Sequence, residues 1–108
     1  MTKFGAIPTV VDGIRFDSKR EAARWAELRL LQRAGEISDL QRQVVVPLIG
    51  RDAPLKTRTG RAMKLTVDFA YRNKAGVQVY EDSKGMRTRD FDVRVAVAEA
   101  MGLEIKLT

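Results

Sequence analysis

The sequence predicts an α/β domain: a mixed β-sheet of about four strands flanked by two helices, with an N-terminal hairpin. Three observations predict it. Residues 18–34 and 88–101 carry apolar positions at helical spacing between capping signals. Residues 40–49, 64–72, 77–84 and 103–107 carry alternating or short β-branched apolar runs. The order hairpin, helix, three strands, helix, strand is that of an α/β sandwich, and 108 residues are one domain's worth, taken as 1–108.

In residues 9–16, apolar runs flank Asp12-Gly13, a strong two-residue turn signal. The first helix opens on Ser18 with Glu21 three residues on, the capping-box pattern, and Gly35 follows as a stop. Pro47 places the next strand at an edge or ends it. Residues 50–63, with Gly50, Pro54 and Gly60 among Arg51, Lys56, Arg58 and Arg61, read as a basic, flexible loop. It is either a solvated connection or a DNA-contacting loop. Thr88 or Asp90 caps the second helix, and Gly102 follows its end.

Composition narrows the chemistry. There is no Cys and no His, which excludes thiolate and imidazole metal sites and His-based acid–base catalysis. A metal would be held by oxygen, which favours Mg, Mn or Ca. The net charge of +6 and pI near 10.1 favour a polyanionic partner. Few aromatic residues argue against extensive stacking on single strands. With no signal-peptide pattern and no apolar run near the roughly 20 residues that span a bilayer, a soluble cytoplasmic protein without membrane contact is expected.

The informative segment is 64–84. Thr66, Asp68 and Ala70 share one face of the first strand, and Gln78, Tyr80, Asp82 and Lys84 share one face of the second. A three-residue turn at Lys74-Ala75-Gly76, with Gly76 left-handed, sets Asp68 opposite Asp82. A two-residue turn would set Asp68 opposite Glu81 instead. Facing carboxylates repel and destabilise a ladder, and a divalent cation turns that repulsion into coordination. Asp82-Ser83-Lys84 is a D-x-K element whose carboxylate can hold metal while the ammonium orients water or stabilises phosphate charge. The plainer reading is a surface ion pair worth at most about 1 kcal/mol.

Glu21 is the third acid, on the inward first turn with Trp25 and Leu28. It either closes the capping box on Ser18 or joins the site. Arg24 lies near the same face, and Gln41 or Gln43 points toward the cleft. Arg87, Arg89 and Arg94 flank the D-x-K element, as DNA contacts or as a solvated helix surface.

Asp68, the D-x-K of the following strand and the helix after it resemble the PD-(D/E)XK nuclease signature, with Val67 in place of the proline. More narrowly, the chain resembles a phage and prophage family, domain of unknown function 1064. The likeness runs through residues 11–22, 35–41, Asp68-Phe69, 81–85, 88–91 and 103–106. It implies a restriction-endonuclease-like core and phosphodiester hydrolysis assisted by Mg (or Mn). By that likeness Asp68 and Asp82 are metal ligands, Lys84 positions water, and Glu21 is a further ligand or water contact. Glu81 stands in for Asp82 if the register differs, and Ser18 and Gln43 have supporting places. From charge and position, apart from that likeness, Arg58, Arg61, Arg87, Arg89 and Arg94 would contact DNA.

The leading expectation is thus a Mg-dependent DNA endonuclease, with branched, junction-type DNA and a homodimer as its extensions. Two others stand beside it: a non-catalytic nucleic-acid-binding module on a nuclease scaffold, and a phage accessory protein that binds a host protein. All four site positions carry competent side chains, which favours the enzyme.

Overall fold

A computed structural model of the chain describes residues 8–83 and 87–108. Strands β1 (Thr9–Val11) and β2 (Ile14–Phe16) form an antiparallel hairpin, followed by helix α1 (Lys19–Arg33). Next come β3 (Ile37–Pro47), β4 (Lys64–Asn73), β5 (Gln78–Asp82), helix α2 (Arg89–Ala100) and β6 (Glu104–Leu107). The main sheet has the order β3-β4-β5-β6, antiparallel except for the parallel β5–β6 pair. The protein is therefore α/β, with two helices, a mixed four-stranded sheet and an N-terminal hairpin. No helix among the described residues is long and apolar enough to cross a membrane.

Local chemistry explains the boundaries. Asp12 and Gly13 both take positive φ, the geometry of a tight hairpin turn. Ser18 Oγ accepts the Glu21 amide at 3.1 Å and starts α1. At its other end the Glu36 and Gly35 amides reach back to the carbonyls of Leu31 and Gln32, with Gly35 left-handed. Of the two N-cap candidates for α2, Thr88 takes the role, its hydroxyl accepting the Phe91 amide. β3 starts at Ile37, three residues earlier than its apolar run, because a bulge between Ser38 and Gln41 carries the pairing past polar residues. It ends at Pro47 on the sheet edge, as proline requires.

Two apolar clusters make the core. Around α1, Trp25 packs between Phe16 and Phe69 with ring centroids 6.1 Å apart, alongside Leu28, Ile37, Tyr71 and Val79. Around α2, Val95 and Ala98 meet Val46, Leu48, Leu65 and Val67. Fully burying such a side chain stabilises by about 1.5–3 kcal/mol. Along β4 the boundary between the clusters falls between Val67 and Phe69, so Asp68 lies at their seam.

The segment 50–63 differs from the flexible loop expected. Its backbone closes two small turns in succession: Gly50 donates to Ala53 and Leu55 to Leu48, then Thr57 donates to Arg61 and Met63 to Leu55. Bridges at Ile49–Pro54 and Lys56–Ala62 complete a double hairpin. Glycine, proline and charge mark turns in a sequence without revealing whether the strands between them pair.

The β4–β5 turn is the three-residue form. The Asn73 amide donates to the Val77 carbonyl, Gly76 donates to the Asn73 carbonyl, and Asn73 Oδ1 accepts from Ala75 and Val77. Gly76 has φ +85° with open space where a Cβ would stand. Gly76→Ala should therefore lose about 1–2 kcal/mol of backbone origin alone, read as a lower urea midpoint at unchanged slope. Gly76→Asn should recover part of it.

Candidate functional site

The turn fixes what faces what. β4 and β5 pair Phe69 with Glu81, Ala70 with Tyr80 and Tyr71 with Val79. Continued by one step, that register sets Asp68 opposite Asp82, the pair that simple counting expects. Here the ladder opens, and side chains replace its next rung. The Asp68 amide donates to Asp82 Oδ1 at 2.9 Å, and the Ser83 amide donates to Asp68 Oδ2 at 2.8 Å. Asp82 is 1% exposed, while Asp68 is half-buried. The Asp82 carbonyl is in turn held by the Thr108 amide.

On the other flank of β4, β3 pairs Arg42 with Phe69 and Val44 with Val67, so Gln43 falls opposite Asp68. Gln43 has φ +50°, which costs an L-residue about 1–2 kcal/mol. Its side chain donates to Glu21 Oε2 at 3.2 Å. Glu21 does not close the capping box. Its amide uses Ser18, but its carboxyl turns away from the helix end toward Gln43. Burial and the charges of Asp68, Asp17 and Asp82 push the Glu21 carboxyl up from 4.5 to about 7, against an opposing pull from Arg42.

Arg42 is the residue that sequence reasoning missed. It is half-buried, its guanidinium 4.7 Å from the Phe16 ring centroid and 5.9 Å from that of Trp25. Its Nε is buried without a hydrogen bond. The available signal was alternation: Arg42 shares the period of Val44 and Val46, so a cation stands at an inward position of a β-branched strand.

Glu81 is not a stand-in for Asp82. One residue earlier on β5, it faces the α1 cluster and is fully buried. Arg24 Nε and Nη2 bind its two oxygens at 2.6 and 2.9 Å, and the Tyr71 hydroxyl donates at 2.7 Å. Burial, then the bond to Glu81, raises the Tyr71 hydroxyl to about 12. The bond to Glu81 also raises the Arg24 guanidinium. Losing one partner of such a pair costs about 3–5 kcal/mol, so Arg24 and Glu81 hold α1 on the sheet. A cavity of about 400 Å³ opens beside this pair, lined by Arg24, Leu31, Ile37, Tyr71, Val79 and Lys106. None of the site acids lines it.

The arginines on and just before α2 divide. Arg94 is engaged by Asp90 and by the Lys64 carbonyl at 2.7 Å, and Arg87 pairs with Asp92 at 3.4 Å. Arg89 is exposed with no ion pair among the described residues. Arg58 and Arg61 are exposed on the double hairpin. Lys84 lies outside the described residues.

The donor set is oxygen only: Asp68 and Asp82 facing, Glu21 above. Among the described residues no group of three or more acids is placed to hold a metal ion, so Glu21 does not close a three-ligand set with the two aspartates. Mg is commonly held by one or two carboxylates and completes its shell from water and phosphate oxygens, so this set fits such an ion.

A family described as "Protein of unknown function (DUF1064)" matches residues 1–108, and the chain belongs to that family. No curated protein and no solved structure matches it.

Two expectations follow. Because the folded pKa of Glu21 lies above its unfolded value, its contribution is full below pH 4.5 and is lost as pH rises through 7. Urea unfolding should show wild type losing about 1–2 kcal/mol between pH 5 and 8 relative to Glu21→Gln, after allowance for solvent screening. Parallel pH profiles would contradict it. Separately, Gln43→Gly relieves the backbone but removes the bond to Glu21, so the two effects should largely offset and leave stability within about 1 kcal/mol of wild type by the same measurement.

Proposed function

We propose that the protein is a metal-dependent DNA endonuclease of the PD-(D/E)XK kind, hydrolysing phosphodiester bonds with Mg (or Mn). One observation carries the reading. Asp68 and Asp82 face each other where the β4–β5 ladder opens, beneath a buried third acid, Glu21, whose ionisation they oppose. The two amide bonds steady the opened ladder, but they give no reason to bury a third acid beside two like charges.

In this reading Asp68 and Asp82 hold the cation, each with one oxygen steadied by a backbone amide of the other's neighbourhood. A divalent ion there would supply Lewis-acid stabilisation of charge on the phosphate. Glu21, held by Gln43 beside the two aspartates, is placed to take the proton of a water attacking phosphorus in line, while the bond to the leaving sugar oxygen breaks on the opposite side and that oxygen takes a proton from solvent. Gln43 orients that carboxyl. Arg42, propped on Phe16 and Trp25, brings a cation to the same side as Glu21, where negative charge builds during hydrolysis. Lys84 completes the D-x-K pattern, a role that rests on the sequence. Branched DNA as substrate rests on analogy with the PD-(D/E)XK fold, and action as a homodimer on a core that a second copy would enlarge.

The test is cleavage of labelled linear, flapped and four-way-junction DNA with Mg, Mn or EDTA. Asp68→Asn and Asp82→Asn keep an oxygen for the amide that each carboxylate holds, so the fold should survive. Each should lower metal-dependent cutting by about a thousandfold while DNA binding in EDTA persists. Cutting by Asp82→Asn at the wild-type rate would sink the assignment. Binding without cutting in wild type would point to a scaffold that only binds.

A further inference from the structure

We propose that residues 48–63 are a rigid cationic arm that grips the sugar–phosphate backbone of duplex DNA beside the acid site, reading charge and not sequence. The inference rests on the nucleic-acid reading above but does not require catalysis.

The arm is apolar at its root and basic along its outer part. Leu48 is fully buried, and Leu55 and Met63 pack against the α2 cluster. Between these anchors the double hairpin is tied by backbone hydrogen bonds. Gly50 closes the first of the two turns, its amide donating to the Ala53 carbonyl, and a Cβ there would press only on the Leu55 side chain. At the adjoining residue Lys64, Arg94 of α2 binds the carbonyl and fastens the root to the helix.

Residues 48–64 hold five Lys or Arg and a single acid, Asp52, a net +4 of the chain's +6. Arg51, Lys56, Arg58 and Arg61 are all exposed and take no ion pair or side-chain hydrogen bond among the described residues. Arg87 and Arg94 are by contrast tied to acids. Like charges crowded on a hairpin repel, and a polyanion relieves that cost. Because the backbone is already ordered, binding costs side-chain entropy but little backbone entropy.

The composition selects the mode. The arm has no aromatic residue to stack unpaired bases and no Asn or Gln to pair with adenine edges, and exchange of its arginines for lysine separates phosphate contact from guanine reading. Lys64 stands four residues before Asp68 on β4, roughly 13 Å along the strand. A duplex passes about four phosphates of one strand over that length. Contacts at the arm would therefore hold the backbone several nucleotides from the acids.

The experiment measures anisotropy of a labelled duplex of about 30 base pairs in EDTA, from about 50 to 200 mM salt. Replacing Arg51, Lys56, Arg58 and Arg61 together by Ala should reduce the slope of log K against log salt by about 3–4 in magnitude. The variant R51K/R58K/R61K should keep the wild-type slope, because a phosphate accepts a point charge where a base edge needs the guanidinium fork. It also guards against a misfolded quadruple variant. A wild-type slope in the quadruple variant overturns the proposal, as does a Lys variant that falls with it. Loss of binding to anionic phospholipid vesicles with DNA binding untouched overturns it too. Metal-dependent cutting is scored separately. Cutting with an unchanged slope sinks the arm alone, and arm-dependent binding without cutting sinks the nuclease reading alone.

Discussion

Much of this structure depends on one three-residue turn. Lys74, Ala75 and Gly76 set the β4–β5 register, and strand side chains alternate. Glu81 is thereby sent into the α1 cluster and Asp82 to the other face. A slip of one residue would exchange them. The carboxylate now bound by Arg24 and Tyr71 would leave the core, and the one now facing Asp68 would enter it. Gly76 at φ +85° makes the shorter loop unnecessary and so fixes the destinations of two adjacent acids.

These acids show how environment divides the labour of chemically similar groups. Glu81 is neutralised by a bidentate guanidinium and a phenol, an arrangement that locks a helix to a sheet. Asp82 instead accepts a backbone amide where a ladder ends, among acids of like charge. Glu21 belongs to neither group: its amide serves the helix cap and its carboxyl accepts from Gln43. The strained φ of Gln43 fits the same picture, since local strain survives where surrounding structure over-determines it.

Most of the architecture was legible because its signals are local. The Asp12-Gly13 turn, the Ser18 cap, Gly35, the alternation of 64–72 and Gly102 each act within a few residues. Asp68 opposite Asp82 was also legible, since a hairpin register can be counted from its turn. What escaped depends on distant contacts. Arg42 gains its meaning from Phe16, Trp25 and Glu21, all on other elements. The double hairpin at 48–63 needs the buried root of Leu48, Leu55 and Met63, which turn residues do not announce. The rotation of Glu21 away from its own cap is decided by Gln43, 22 positions later.

The ion pair between Arg24 and Glu81 spans 57 positions of the chain, and this separation has a kinetic meaning. The hairpin carrying Asp68 and Asp82 closes over a short loop and is the cheap step in loop entropy. Docking α1 against it is the expensive step, and it must cover Glu81 with Arg24 to proceed. Glu21 rides on the same helix, one turn away. In loop entropy, the two facing aspartates therefore meet at less cost than the third acid joins them. The full constellation comes into being only with the completed domain.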